Sequence, residues 1–523
     1  MARPSMADAA LSHSASQHDA RIAVRNALQL GLSLVATYGV GMAVRMFFLP
    51  RTLGPEALGV FTAADFVANT AFLFTTFGME PYTQKEVSVR QEHASDFVGT
   101  VILLRMVMFF ILTAGMGLYL TLTDQTHLLW PALGMAGMYA LFHHNSSWGA
   151  LLTATREVAG LAKINVATKL VWGGAVVVFV LLGHGVLGVA LGFLVGEVVK
   201  AVLLYFEVFR RVPLKLRVDW AATRKVLVAA FPFMLNSVSL IYSKLDVNMM
   251  SYWHMSPAEL GWYGSAVQIS GFTLVLMPLL GGAVVPLFSR AAARSQEDLD
   301  RVGARTMSTI LTFALAGGFA MGLGSELAVR LTAGVDFLPS VPALMILCAN
   351  FAATYVAVIC SYFVWAKKGP WFVTCVSALG LVVNPIFNIL LIRPLAERGA
   401  GWAGTGAALA TVSTELFVIA ILLTMVGKNL FDRHARSMLL RTALVMLLVG
   451  FLHTQLRPLV EAPPPWLGAP HGVPVLAARL LIEAAAYVGL AVLTRAINIR
   501  ETLEFVRSAL RTRQEQRQEP KAA

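Results

Sequence analysis

Long apolar stretches alternate with short polar gaps along this chain of 523 residues. A membrane-spanning helix needs about 20 mainly apolar residues, because the hydrocarbon layer is about 30 Å thick and each helical residue rises about 1.5 Å. Fourteen stretches reach this length, and they are placed near residues 27–49, 57–80, 97–122, 128–150, 163–182, 186–209, 226–252, 262–288, 305–331, 341–366, 371–392, 402–426, 438–455 and 475–497. The pattern predicts an all-α polytopic membrane protein with fourteen transmembrane helices.

The gaps between the stretches alternate in their content of Lys and Arg. Most of the basic residues that lie in the gaps fall in one set of them: Lys85, Arg90, Arg156, Arg210, Arg211, Lys215, Arg217, Arg224, Lys225, Arg290, Arg294, Arg301, Lys367, Lys368, Lys428, Arg433 and Arg436. The other set holds Arg51, Arg393, Arg398 and Arg457, with Arg330 at a span end beside it. Loops rich in Lys and Arg stay on the cytoplasmic side. We therefore expect a multi-pass protein of the cell inner membrane with both termini in the cytoplasm.

The net charge of +12 belongs to these loops and to the two tails. Only 13% of the residues are charged and 57% are hydrophobic, so the basic excess serves orientation and contact with anionic headgroups, and nucleic acid is not an expected partner. Residues 1–25 lack an apolar core and predict a disordered cytoplasmic tail. Residues 498–523 predict a short amphipathic helix on the inner membrane surface, followed by a disordered tip.

Two helix corners in the chain resemble each other. The segment "FFLPRTLGPEALGVFTAAD" aligns with "MMSYWHMSPAELGWYGSAV" at an offset of 202 residues, which is about the length of six spans. The matched pairs are Pro55 with Pro257, Leu58 with Leu260, Gly59 with Gly261, Phe61 with Tyr263 and Ala64 with Ala266. An even number of spans per copy predicts two parallel six-helix lobes around a central cavity, residues 26–210 and 226–426, with two additional helices in residues 438–497. Two similar corners without a wider duplication are the alternative.

The segment "FFLPRTLGPEALGVFTAADFVANTAFLFTTFGMEPYTQKEVSV" resembles the signature of bacterial polysaccharide flippases, in which a span ends in an LG-x-x-x-x-G-x-[YF] corner and the next ends in FG before a basic loop. The seventh-span segment "YSKLDVNMMSYWHMSPAELGWYGSAVQI" is similar to the second corner of that family. These flippases belong to the multidrug/oligosaccharidyl-lipid/polysaccharide exporter superfamily. The resemblance implies that undecaprenyl-pyrophosphate-linked oligosaccharide moves from the cytoplasmic to the outer leaflet, by alternating access, for O-antigen, capsule or exopolysaccharide synthesis.

Ionisable residues inside the spans are the candidates for substrate binding, because a charge in the membrane costs about 2.5–3.5 kcal/mol on insertion scales and needs a partner or a cavity. In span 7, Asn236, Lys244 and Asn248 lie on one side of the helix, four or eight residues apart. We favour Lys244 as a cavity cation with the two amides as hydrogen-bonding neighbours; a structural ion pair is the alternative. Asp246 points to another side and either pairs with a neighbouring helix or takes part in cation coupling.

Spans 1 to 3 supply the remaining candidates. Asp65 and Asn69 are four residues apart in span 2, and Arg45 lies at a comparable depth in span 1. A salt bridge between Arg45 and Asp65 is one reading. If spans 1 and 7 face each other, as the resemblance implies, Arg45 and Lys244 form a basic site for phosphate. Arg105 in span 3 either receives the pyrophosphate from the inner leaflet or makes a structural pairing.

Other functions remain open at this stage. A lipid II flippase also has fourteen spans and a basic cavity, and a cation-coupled multidrug or metabolite antiporter uses the same scaffold. A membrane enzyme such as a polymerase or a glycosyltransferase is disfavoured, because the outer loops are short. We expect no catalytic residue, metal or cofactor. The expected partners are the lipid-linked oligosaccharide, the bilayer, a polysaccharide polymerase and a chain-length regulator.

Overall fold

The computed structural model describes residues 31–496, apart from residues 89, 156, 213, 240–241, 272–276, 428–429 and 431–432. Every regular element in these residues is helical, and no strand occurs among them. The all-α prediction is confirmed for this part of the chain. The predicted tails, residues 1–25 and 498–523, lie outside the described residues.

By its internal contacts the chain divides into two units, Met1–Gly264 and Ser265–Ala523. The helices that begin in the first unit are α1 (31–42, continued by a π-helical segment Ala43–Phe48), α2 (Leu49–Phe72), α3 (Met79–Glu86), α4 (Ala94–Leu122), α5 (Leu129–Ala154), α6 (Val158–Phe179), α7 (Gly185–Arg211), α8 (Trp220–Ser239), α9 (Tyr242–Tyr252) and α10 (Pro257–Gly271).

The helices of the second unit begin after α10, whose last residues belong to it. They are α11 (Met277–Arg294), α12 (Gln296–Leu323), α13 (Ser325–Thr332), α14 (Val341–Lys368), α15 (Pro370–Ala396), α16 (Trp402–Val426), α17 (Arg433–Gln455), α18 (Arg457–Glu461) and α19 (Val473–Leu493). The hydrophobic core of this unit packs α11, α12, α14 and α16 together around Phe288 and Phe363.

Nine continuous helical runs in the described residues are long and apolar enough to cross a membrane. Two of them, Gly31–Glu86 and Val158–Arg211, contain 56 and 54 residues, more than twice the length of one crossing. Each is interrupted by glycine at positive φ, at Gly54 in the first and at Gly183 and Gly185 in the second. Because such a backbone interrupts a helix, each run comprises two helical segments long enough to cross. The protein is a multi-pass membrane protein, while the count of fourteen spans stays a prediction.

The second span ends earlier than its hydropathy predicts. The sequence places its end at residue 80, but α2 ends at Phe72 and one 3-10 turn, Leu73–Thr76, follows. Phe77 and Gly78 then adopt the left-handed conformation, with φ of 50° and 65°. Two left-handed residues in succession stop the helix, and the chain restarts as α3.

Small residues bring α6 and α7 close together. A Cβ atom at Gly192 of α7 would lie 2.6 Å from the backbone nitrogen of Val176 in α6. One turn further on, a Cβ at Gly196 would lie 2.6 Å from Cβ of Trp172. Helices in a bilayer gain little from burying apolar surface against each other, so close packing at small residues supplies much of their attraction.

Gly192→Ala is therefore expected to destabilise the first unit, because the new methyl group overlaps the backbone of α6. Overpacking of this kind costs about 1–3 kcal/mol. The matched control is Gly174→Ala in α6, where the added Cβ meets no atom within 4 Å. The apparent melting temperature of the purified protein in detergent measures the effect. Equal melting temperatures for the two variants would contradict the expected overlap.

Candidate functional site

Arg45 forms a loose ion pair inside the first unit. It lies on the π-helical segment Ala43–Phe48, and such segments often occur at functional positions. Its Nη1 atom is 3.8 Å from Oδ2 of Asp65 on α2, so the salt bridge that the sequence suggested is present at a long distance. The guanidinium carbon also lies 4.6 Å from the centre of the Phe193 ring on α7. The Arg45 side chain keeps 28% of its surface exposed, so it is accessible to a ligand.

Asp65 is held more firmly by a tyrosine than by its arginine. The buried Tyr139 hydroxyl on α5 donates a 2.7 Å hydrogen bond to Oδ1 of the buried Asp65 carboxylate. The Asn69 side chain, one turn along α2, lies close to the Tyr139 hydroxyl. A carboxylate in a nonpolar interior requires such donors, because its desolvation is otherwise unfavourable. Asp65, Asn69 and Tyr139 therefore connect α2 and α5.

Lys169 adds a second cation next to Arg45. It lies near the middle of α6, and its Nζ atom is 3.5 Å from the centre of the Trp172 ring. The aliphatic part of its side chain passes beside Gly41 of α1, where an added Cβ would be 3.5 Å from Cε. Arg45, Glu197 and Lys200 are its charged neighbours. Within the described part of the chain, no carboxylate lies within 4 Å of its ammonium group.

These five residues, Arg45, Asp65, Asn69, Tyr139 and Lys169, are called the basic cluster from here on. The cluster combines two cations with one carboxylate, and that carboxylate is already hydrogen-bonded to Tyr139. Glu197, the other nearby acid, accepts a 2.8 Å hydrogen bond from Nδ2 of Asn145. The aromatic rings of Trp172 and Phe193 stabilise the cations through cation–π contacts. A site with excess positive charge in a membrane interior is suited to bind an anion.

Arg105 has a different environment. It is buried on α4, and its Nε atom donates a 2.9 Å hydrogen bond to the carbonyl of Thr75, while Nη2 lies 3.4 Å from the carbonyl of Thr76. These carbonyls belong to the 3-10 turn that ends α2, where the last carbonyl groups lack helical partners. Arg105 thus satisfies a helix end inside the membrane domain. It also lines a small pocket with His144 and Ser147.

The span-7 candidates divide into those that the structure describes and those that it does not. Asp246 on α9 is fully buried and accepts a 2.8 Å hydrogen bond from the Tyr263 hydroxyl on α10. Nδ2 of Asn248 donates a 2.8 Å hydrogen bond to Oγ1 of Thr70, which connects α9 to α2 next to Asn69. The side chains of Asn236 and Lys244 lie outside the described part, and their roles stay predictions.

The structure groups some of the predicted residues and separates others. Arg45, Asp65 and Asn69 meet in the basic cluster, and Asn248 contacts the residue that follows Asn69. Arg105 is engaged by the end of α2 instead. Sequence reasoning missed Lys169 and Tyr139. The signal for Lys169 was available, since it is an ionisable residue well inside the predicted span 163–182.

The described residues offer little to a metal ion. No group of three or more His, Cys, Asp or Glu side chains in that part of the chain is close enough to hold one. The adjacent histidines of α5 have other contacts: His143 stacks on Tyr139, and Nε2 of His144 accepts a hydrogen bond from the indole of Trp148.

Comparison with known proteins identifies related sequences and folds. The family described as "Polysaccharide biosynthesis protein" matches residues 23–292, more than half of the chain. No curated protein sequence matches significantly. The lipid II flippase MurJ, in an inward closed conformation, shares 14% identity with a TM-score of 0.66, over 90% of this chain and 99% of that one.

Two transporters of another kind have similar structures. An inward-facing multidrug resistance MATE family transporter of the MOP superfamily shares 15% identity with a TM-score of 0.56, over 75% of this chain and 98% of that one. An outward-facing transporter of the same description shares 14% identity with a TM-score of 0.53, over 77% and 96%. At these identities the similarity concerns the fold alone.

Arg105→Ala is expected to destabilise the protein, because the carbonyls of Thr75 and Thr76 lose their donor in a buried position. A buried polar group left without a partner costs about 1–3 kcal/mol. Arg210→Ala is the control, since Arg210 is 66% exposed and its partner Glu207 keeps a second ion pair with Arg211. Melting of both variants in detergent compares them. If the melting temperature falls no further in Arg105→Ala than in Arg210→Ala, the carbonyls at the end of α2 do not need the arginine.

Proposed function

The chain belongs to the polysaccharide biosynthesis protein family, and we propose that it is a flippase for undecaprenyl-pyrophosphate-linked oligosaccharide. It moves the repeat units from the cytoplasmic to the outer leaflet for O-antigen, capsule or exopolysaccharide synthesis. Lipid-linked oligosaccharide carries a pyrophosphate that hydrocarbon cannot solvate. The protein must therefore offer cations to that group along a path protected from the lipid tails.

The excess cation of the basic cluster is the observation that carries this proposal. Lys169 has aromatic and aliphatic contacts in place of a carboxylate partner, and Arg45 is paired only at 3.8 Å. A purely structural charge in a membrane interior is normally paired. A phosphate between the two cations would supply the missing negative charge, while Trp172 and Phe193 keep the cations in place when the site is empty.

The remaining candidates are assigned roles around this site. Asn69 and Asn248 supply amide groups for sugar hydroxyls, and the Asp65 carboxylate limits the affinity of Arg45 for the anion. Asn236 and Lys244 are proposed to extend the polar surface along span 7. Asp246, which accepts a hydrogen bond from Tyr263, is proposed to take part in cation coupling. Arg105 is proposed to attract the pyrophosphate on the cytoplasmic half, in addition to its bonds to the end of α2.

The proposed transport mechanism is alternating access. Two parallel six-helix lobes, residues 26–210 and 226–426, would enclose a central cavity, and the helices in residues 438–497 would lie beside them. Both termini would be in the cytoplasm, in the inner membrane. Transporters with similar folds adopt inward-facing and outward-facing conformations, which supports such a cycle. A polysaccharide polymerase and a chain-length regulator are the proposed partners, since they would act on the exported repeat units.

The function is tested by deletion and complementation. Deletion of the gene is expected to abolish exported polysaccharide and to cause lipid-linked repeat units to accumulate inside the cell. The wild-type chain should restore export, whereas Lys169→Met should restore little, because it removes the cation and retains an unbranched apolar side chain. Lys169→Arg should retain part of the activity. Surface glycan and extracted lipid-linked saccharide are measured together.

The matched control is Lys163→Met, which changes an exposed lysine two turns earlier on the same helix and should leave export normal. Normal surface glycan in the deletion strain, without accumulation of lipid-linked repeats, would overturn the proposed function. Arrest of peptidoglycan synthesis with cell lysis would indicate lipid II as the substrate instead.

Lys244→Ala is expected to reduce export while leaving the amount of protein in the membrane unchanged. The physical reason is loss of a further phosphate-binding cation, which we place on span 7 in addition to Arg45 and Lys169. Export rate and membrane abundance are compared with those of Lys225→Ala, whose side chain is exposed near the start of α8. Normal export by Lys244→Ala would remove this residue from the mechanism.

A further inference from the structure

The two similar corners pack directly on one another through glycine. A Cβ atom at Gly59 would lie 1.7 Å from the carbonyl oxygen of Pro257, and a Cβ at Gly261 would lie 2.0 Å from the carbonyl oxygen of Pro55. Real Cβ atoms essentially never approach another heavy atom within 3.0 Å. Only glycine fits at either position in this arrangement.

The contact is reciprocal. Pro55 and Gly59 occupy the same places in the first corner as Pro257 and Gly261 occupy in the second. Each glycine receives the proline carbonyl of the other corner, and the backbone nitrogen of each lies 3.0–3.1 Å from the Cβ position of its counterpart. One turn further along, a Cβ at Gly264 of α10 would lie 2.6 Å from Oγ1 of Thr62 on α2. The approach therefore continues along α2 and α10.

The closest approach across this contact is between backbone atoms. Its nearest atoms are glycine Cα–H groups and carbonyl oxygens, whose contacts contribute little compared with ordinary hydrogen bonds. The charge distribution of the sequence puts both corners on the outer side of the membrane. A close contact between two backbones, which glycine at both positions makes possible, suits a surface that opens and closes once in each transport cycle.

We propose that Gly59 and Gly261 form an outer seal, which closes the basic cluster from the outside when the corners meet and opens it when they separate. This inference rests on the proposed function in one respect, since it requires alternating access. A methyl group on either glycine would keep the corners apart and hold the site open to the outside.

The seal can be tested without the substrate, by measuring how readily a reagent added from outside reaches the basic cluster. Lys169→Cys serves as a reporter thiol in a chain whose Cys348, Cys360 and Cys375 are replaced by alanine. A membrane-impermeant maleimide is added to spheroplasts, and the labelling rate is measured. Gly59→Ala and Gly261→Ala should each raise that rate several-fold.

Gly39→Ala in α1 and Gly271→Ala at the end of α10 are the matched controls, because an added Cβ meets nothing within 4 Å at either position. Both should label at the rate of the parent. Equal labelling in all four variants would overturn the seal, whatever the chain transports. If export of polysaccharide is normal in the deletion strain while Gly59→Ala and Gly261→Ala still label faster than the parent, only the proposed substrate is rejected, and the seal stands.

If the alanine variants do not reach the membrane, a disulfide between the two corners tests the seal instead. The Cβ position of Gly264 lies 3.1 Å from Cβ of Thr62, below the range of about 3.5–4.5 Å that disulfides adopt, so a small shift of the two helices would allow the bond. Thr62→Cys combined with Gly264→Cys should stop exporting on oxidation, relative to its own export under reducing conditions. Each single variant should be insensitive to the oxidant. Continued export by the fully oxidised double variant would show that the corners need not separate.

Discussion

The constraint on which this structure depends is that hydrocarbon solvates neither charges nor unpaired backbone groups. All regular structure in the described residues is accordingly helical, and several buried polar side chains of the first unit bond to one another or to the carbonyls of a helix end. Arg105 supplies donors to the carbonyls at the end of α2, Tyr139 donates to Asp65, and Tyr263 donates to Asp246. The ammonium group of Lys169 instead lies against an aromatic ring, with no carboxylate of the described residues within 4 Å, and this is why we propose that it binds an anionic ligand.

The same constraint explains the use of glycine in this protein. Helices surrounded by lipid gain little by hiding apolar surface, so they attract one another through close van der Waals contact at small residues. Gly192 against Val176 shows this contact between neighbouring helices, where it stabilises a fixed pair. Gly59 and Gly261 make a still closer approach between two corners, at backbone carbonyls. The first contact joins two neighbouring helices, and the second is the one that we propose to open and close in each transport cycle.

Hydropathy and charge predicted the helical fold well and the chemistry of the site only in part. Periodicity gives the depth of a residue and its side of a helix, which was enough to anticipate the pairing of Arg45 with Asp65. It does not identify the neighbouring helix. The sequence therefore did not predict the hydrogen bond from Tyr139 to Asp65, 74 positions away, or the packing of Lys169 beside Gly41. Arg105 was considered as a receiver of pyrophosphate because its depth suggested it. The early end of α2, set by the backbone of Phe77 and Gly78, provides carbonyls that no hydropathy pattern reveals.

The balance of charge in the basic cluster has a consequence for the proposed transport cycle. A site that binds a pyrophosphate too tightly would retain it, since release must be as feasible as binding. The Asp65 carboxylate lies 3.8 Å from Arg45 and is held there by Tyr139, so it remains a resident competitor for the guanidinium group. In the proposed cycle, an arriving phosphate would gain the full attraction of Lys169 but would share Arg45 with Asp65. When the lipid leaves, the loose ion pair and the ring of Trp172 stabilise the two cations again. In the proposed cycle, the partial neutralisation by Asp65 therefore favours turnover over affinity.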